Sequence, residues 1–301
     1  MIMTRKTFRT PWLFISICTL PALMLTIYFL VWPAVQVFWL SLTNASILGF
    51  ADAEFVGLEN YRYMFGDRRF IQAMENTFKL LAVAPAVTVF CALILAFAVT
   101  QSKLRERSFY RTVFFFPAIV SMTVIGIVWS FVFHPNMGIL NTFLGALGFE
   151  SLAQTPWVGQ RSTALWTIAA AVIWQAAGYF MVMHIAAIDG IPTEIYEAAT
   201  IDGAGPVRKL VSITLPLIKD IIGITFVFAV SGTLNSSFVL ASIMTGGGPN
   251  GASSVLLFYI YEQGMKGGSF GYSMAIAAFT LCLAVALSAA SRMLTAREAR
   301  A

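Results

Sequence analysis

Apolar residues in this chain come in long blocks. Six of them, at 12–33, 76–100, 110–133, 162–188, 217–243 and 272–291, each hold about 20 or more mostly apolar residues. A bilayer core of roughly 30 Å takes about 20 residues of helix to cross, so the pattern predicts six transmembrane helices. Pro85 and Pro117 fall inside the second and third blocks, where a missing amide donor and a ring clash bend helices. The polar intervals differ in character. The first, 34–75, carries FVGLENYRYMF at 55–65, a mixture suited to a cap on the membrane surface or to an aromatic belt there. The second, 134–161, contains Pro135, Gly138, Gly145, Gly148 and Pro156, which predicts turns and one short helix. Near the end, TGGGPNGASS at 245–254 reads as a flexible loop, and the amphipathic LLFYIYEQGM after it as an interfacial segment. The remaining interval, 189–216, is polar yet compatible with helix.

Composition agrees with the blocks. Of 301 residues, 58% are hydrophobic and only 11% charged, far from the usual range of a soluble chain. The expectation is an all-α integral membrane protein with a single transmembrane domain over 1–301. Arg5, Lys6 and Arg9 precede the first block as in a secretory signal, but no small-residue cleavage site follows, so the block reads as an uncleaved span. Cys18, Cys91 and Cys282 lie in separate blocks without CxxC spacing and read as small buried hydrophobes.

The net charge of +5 raises the question of nucleic acid, and its distribution answers it. With six spans drawn, 13 of the 19 Lys and Arg share one side: Arg5, Lys6, Arg9, Lys103, Arg105, Arg107, Arg111, Arg208, Lys209, Lys219, Arg292, Arg297 and Arg300. The positive-inside rule places both termini and 189–216 in the cytoplasm, so the basicity is topological and marks no nucleic-acid surface.

Within 189–216, Pro192 and Glu194 suit the first turn of a helix of about ten residues. Gly203 or Gly205 should stop it, and Pro206 should open the next. Ala198 and Ala199 allow close approach of another surface, while Glu197 and Asp202 can address cations. An amphipathic helix lying on the inner leaflet is the competing reading. Its acids, Asp189, Glu194, Glu197 and Asp202, suit an anionic surface poorly.

The segment 197–216 reads Glu197-Ala198-Ala199, then Gly203, then Ile213-Thr214-Leu215-Pro216. That spacing resembles the EAA signature of inner-membrane permease subunits of binding-protein-dependent ATP-binding-cassette (ABC) importers. FVGLENY, Asn76-Thr77, the loop of 245–249 and GYSMAIA at 271–277 are similar to the sugar-permease branch, to its maltose F-type and glycerol-phosphate A-type subunits. The extra amino-terminal spans and large outer domain of the maltose F-type subunit have no counterpart here.

The resemblance implies a type I ABC importer permease fold, with the EAA helix docked in a cytoplasmic ATPase through Glu197, Ala198, Ala199, Asp202, Gly203, Ile213, Leu215 and Pro216. It implies solute contacts at Tyr179, with Trp174, Gln175 and Ala176 beside it, and at Thr233, Leu234 and Ser237, with Asn235 and Ser236 as neighbours. Two asparagines of the family's contact set are replaced by Leu234 and Ser237. Such groups hydrogen-bond sugar hydroxyls and cover ring faces, although they also serve as glue between helices.

The chain has no GxxxxGK[ST] loop, so it is expected to be no enzyme and to bind no cofactor of its own, with ATP and Mg on a separate ABC ATPase dimer. A companion permease subunit of G or E type, an extracytoplasmic solute-binding protein and the lipid bilayer complete the expected partners. Gly246, Gly248 and Gly251 match GxGxxG without a βαβ unit around them, and carry no dinucleotide role. His134 and His184 stand apart and suggest no metal site.

Intramembrane charge marks ion and charged-solute pathways. Between 162 and 188 only His184 is ionisable, and between 221 and 243 nothing is, which favours a neutral sugar or polyol. An importer for glycerol-phosphate or a sulfonated sugar is the nearest alternative. An ion-coupled secondary transporter would need buried charges and often shows inverted repeats, and the chain shows no such repeat.

Overall fold

The computed structural model describes residues 12–47, 49, 53–101 and 106–298. Arg5, Lys6, Arg9, Lys103, Arg105 and Arg300, which enter the charge argument, lie outside the described residues. In chain order the helices are α1 (Trp12–Thr26), α2 (Trp32–Leu40), α3 (Glu59–Gly66), α4 (Arg68–Gln101), α5 (Arg107–Ile119), α6 (Met122–Val132), α7 (Ile139–Ala146) and α8 (Glu150–Ala153). They continue with α9 (Ala164–Asp189), α10 (Thr193–Ile201), α11 (Pro206–Lys209), α12 (Leu215–Leu217), α13 (Lys219–Leu240), α14 (Leu256–Tyr261) and α15 (Phe270–Glu298). Among the described residues, four π-helical turns interrupt or end them, at Ile27–Val31, Leu210–Thr214, Ala241–Thr245 and Glu262–Lys266. Extended pairing among the described residues is confined to isolated bridges.

Among the described residues, four helical stretches are long and apolar enough to cross a membrane: Phe14–Leu40, Arg68–Thr100, Ala164–Asp189 and Lys219–Thr245. The expected third span is instead two helices, α5 and α6, bent by 99°. Val120 and Ser121 both leave the helical region there, with ψ of 140° and 135°. Pro85, also expected to bend its helix, lies inside an α4 that runs for 34 residues as one element. The last block falls in α15, a helix of 29 residues whose apolar part includes Phe270–Ala286.

The chain divides into two compact units. The first comprises 1–64 and 263–279. Its opening helix does not end at Pro33, as the sequence suggested, but continues to Leu40. The π-turn just before the proline explains this: Trp32 N–H donates to Ile27 C=O, a five-residue reach, and Pro33 then starts a fresh helix where its missing N–H matters least. At the far end, the Asn60 amide of α3 donates to Ser41 C=O at 2.9 Å and Thr43 C=O at 2.8 Å, satisfying carbonyls in the turn that follows α2. The 55–65 segment thus acts as a hook on the first helix. Gly271 packs on the same turn so closely that a Cβ there would meet Thr43 O at 2.0 Å.

The second unit comprises 65–262 and 280–301. Here α4, α9 and α13 pack on one another, and α5 lies against α9. A cluster around Leu80, Ile125, Ile168, Leu240 and Phe258 fills one part of the core, and one around Val89, Phe180, Ile185 and Ile218 another. The α5–α9 crossing is backbone on backbone, because a Cβ at Gly178 would lie 1.8 Å from Phe114 O. His184, fully buried, joins α9 to α13 through Nε2 and Thr225 Oγ1 at 2.9 Å.

Two expectations about the 245–265 region are overturned. The glycine-rich loop is tied down. The Asn76 amide donates to Gly251 C=O and Ser254 C=O, both at 2.9 Å, and Ser253 Oγ donates to Gly248 C=O at 2.6 Å. Gly247, at φ +78°, would drive a Cβ to 2.5 Å from the Phe258 ring. The segment after the loop is no interfacial helix either, since Leu256, Phe258 and Tyr259 are buried and α14 packs against α4. Alternating polar and apolar letters misled here because Tyr259 buries its ring while its hydroxyl donates to Asp67. Asn76→Ala is expected to remove two buried hydrogen bonds and lower the melting temperature of the purified protein by about 4–8 °C, read by thermal unfolding in detergent.

Candidate functional site

Two places combine the chemistry singled out in the sequence. The first is a cavity of about 400 Å³ among α4, α5, α9 and α13, within the size range of small-molecule sites. On α9 it is lined by Val172, Gln175, Ala176 and Tyr179, the i, i+3, i+4, i+7 stripe of one helix face, and by Phe180. On α13 it is lined by Phe228, Ala229, Gly232, Thr233 and Ser236. Gly232 matters by what it lacks, since a Cβ there would enter open space. Tyr179 is half-exposed and meets Phe180 edge to face. No lining residue is an acid or a base.

Gln175, Ala176, Tyr179, Thr233 and Ser236 are therefore brought together around one space. Trp174, Leu234, Asn235 and Ser237 do not line the cavity. Successive helix residues point about 100° apart, so neither 174–176 nor 233–237 can present every side chain to one space. Trp174 instead meets Trp129 edge to face at 5.7 Å, Asn235 donates to Ser231 C=O at 3.2 Å, and Ser237 donates to Leu234 C=O at 2.8 Å. Sequence reasoning missed Thr88 on α4 and Ala118 on α5. A hydroxyl inside an otherwise apolar block was the available signal for Thr88.

The second place is the loop between α9 and α13. Helix α10 begins after Pro192 and ends at Gly203, which the sequence had left level with Gly205 as the stop. Gly203 takes φ +76°, Ala204 N–H donates to Ala199 C=O at 2.9 Å, and Gly203 N–H donates to Thr200 C=O at 3.1 Å. This is a Schellman closure, which needs a left-handed residue at that position. Pro206 then opens α11.

The return path is bolted to α10. Lys209 Nζ donates to Thr200 Oγ1 at 2.7 Å, and the Tyr196 and Thr214 hydroxyls meet at 2.9 Å. Glu197, Ala198, Ile201 and Asp202 are exposed, while Ala199 packs inward, so only one alanine of the pair offers a bare outer surface. Ile201 is 86% exposed, an apolar side chain left on the outward face. Ile213 lies in the π-turn and Leu215 in α12, both partly buried, and Pro216 is exposed. Upstream, Asp189 at the end of α9 pairs with Arg107 at the start of α5, at 2.7 Å. That pair is half-exposed and is worth about 0–1 kcal/mol to stability.

Residues 88–300 match the family described as binding-protein-dependent transport system inner membrane component. A relative named “Probable ABC transporter permease protein YurN”, from Bacillus subtilis (strain 168), is 36% identical over 92% of this chain and 93% of its own. The diacetylchitobiose uptake system permease protein NgcF of Streptomyces coelicolor is 32% identical, over 96% of this chain and 85% of its own. The sn-glycerol-3-phosphate transport system permease protein UgpA of Salmonella typhimurium is also 32% identical, over 95% and 94%. In fold, a chain in the crystal structure of a bacterial alginate ABC transporter, in complex with an alginate pentasaccharide-bound periplasmic protein, superposes with a TM-score of 0.82, covering 95% of this chain at 21% identity. The exposed EAA helix, the bundle of α4, α9 and α13 and these matches together make this chain a member of the family of binding-protein-dependent transport system inner membrane components, the permease subunits of ABC transporters.

Proposed function

We propose that the chain is the translocation subunit of an ATP-driven importer for a neutral carbohydrate or polyol. One observation carries the solute class: the cavity offers amide, hydroxyl and aromatic groups and no charged side chain. Relatives named for diacetylchitobiose and for sn-glycerol-3-phosphate uptake bracket the class, and the uncharged lining favours the first kind of solute over the second. An ion-coupled transporter would place acids or bases along the path.

In this reading the six apolar blocks form six spans of one domain in the cytoplasmic membrane, with the bent α5–α6 pair as one of them and both termini in the cytoplasm. A companion permease closes the cavity, and an extracytoplasmic binding protein delivers solute to it. An ATPase dimer, holding ATP and Mg, receives α10 in a groove. Glu197 would meet a basic ATPase residue, and Ala198 and Ile201 would lie against the groove. Because Schellman closure, Lys209 and Tyr196 hold α10 to its return path, motion of the ATPase is passed to α9 and α13 without being absorbed in the loop. Coupling by differential contact in two states follows.

The test is reconstitution of the full complex in proteoliposomes with ATP on the ATPase side. Labelled disaccharide is expected to accumulate only with ATP and binding protein present. Uptake driven by an ion gradient without ATP would overturn the reading.

A further inference from the structure

Helix hydroxyls in this chain share a habit. Thr77 and Thr100, both on α4, donate to the carbonyls of Ala73 and Ala96 at 2.8 and 2.9 Å, and Thr225 and Ser237 of α13 donate to Ile222 and Leu234. Such back-bonding makes a hydroxyl inexpensive in an apolar bundle. Thr88 breaks the habit. Its residue is 1% exposed, its Oγ1 is buried without any hydrogen-bond partner, and it lines the same cavity as Gln175, Tyr179, Thr233 and Ser236. Around it on α4, the buried Ala84, Val89 and Ala92 are all apolar. Valine has the same shape as threonine and would fill this position without an unpaired oxygen. A buried polar group without a partner is costly, and its retention calls for something that supplies the missing partner.

We propose that Thr88 is a solute-contacting residue. Its hydroxyl is the hydrogen-bond partner, on α4, for a hydroxyl of the carbohydrate or polyol that occupies the cavity. With it, three helices rather than two present polar groups to the solute. The side chain both donates and accepts, as a sugar hydroxyl does, so it discriminates for a hydroxyl and against a deoxy position. The assignment rests on the reading of this cavity as the solute path.

The experiment uses the full complex in proteoliposomes and measures labelled solute taken up per ATP hydrolysed. The probes are glucose, maltose, N,N′-diacetylchitobiose and glycerol, and the one transported fastest by the wild type is carried forward. Thr88→Val is expected to lower that ratio about 3- to 10-fold, the value of one neutral hydrogen bond, while Thr88→Ser keeps at least half of it. Tyr179→Ala is measured alongside. Wild-type behaviour of Thr88→Val with a deficit in Tyr179→Ala overturns the role of Thr88 alone. Wild-type behaviour of both overturns the solute path itself. Equal deficits in the valine and serine variants also overturn the proposal, because they indicate packing.

Should Thr88→Val fail to assemble, Thr88→Cys in a background lacking Cys18, Cys91 and Cys282 gives an independent reading. The probe solute should slow modification of that thiol by a small methanethiosulfonate reagent, and identical rates with and without solute overturn the proposal.

Discussion

Gly178→Ala is expected to break the bundle. One methyl group at this position would stand 1.8 Å from Phe114 O and 2.6 Å from Phe114 C, and both are backbone atoms of a neighbouring helix. Ordinary contact needs about 3.5 Å, so α5 and α9 would have to part on the order of 1.5 Å along their whole crossing. Overpacking usually costs about 1–3 kcal/mol where side chains can adjust. Here no side chain is available to move, and the upper end or more is expected, lowering the melting temperature by about 6–12 °C. Gly223→Ala is the matched control: it lies in α13 with nothing within 4 Å of its Cβ, and should be neutral or slightly stabilising. The two variants are compared by thermal unfolding in detergent and by the monodisperse fraction on size exclusion. Equal melting temperatures would mean that the α5–α9 crossing is looser than described.

Glu197→Ala is expected to uncouple the machine while leaving the chain intact. Glu197 is exposed on α10, so its loss should change stability by less than about 0.5 kcal/mol. In the docked state it would lose a charge-assisted hydrogen bond worth about 1.5–3 kcal/mol, equivalent to about a 10- to 100-fold loss. Uptake and solute-stimulated ATP hydrolysis should fall together by that order, and solute binding by the separate binding protein should not change. Normal uptake by this variant would remove Glu197 from the coupling role.

What the sequence made legible and what it hid follow the range of the forces involved. The fourth block, 162–188, corresponds to α9, and the proline and glycine punctuation of 189–216 places α10 within a residue or two, because spans and caps are governed by neighbours along the chain. The loop at 245–254 was misread because its order comes from Asn76, a partner far away in sequence. The break at 120–121 was announced by Pro117, three residues before it, but a proline gives the presence of a bend and not its size of 99°. In the cavity, the resemblance pointed to α9 and α13, and helical phase then chose among adjacent letters: Gln175 and Ser236 line the space, Trp174 and Asn235 do not. Thr88 escaped notice because a lone threonine in an apolar block looks the same whether it bonds to its own backbone or to nothing.

Asn76 also sets a timetable for biosynthesis. Its two acceptors lie 175 and 178 residues downstream. At about 5–20 residues per second, division of 175 by those rates gives about 9–35 s between synthesis of the amide and synthesis of Gly251. Through that interval the nascent α4 carries a polar group whose eventual partners do not yet exist. The tie between α4 and the 245–254 loop is therefore a late event in the life of each molecule, and a chain truncated before Gly251 lacks both acceptors of the Asn76 amide.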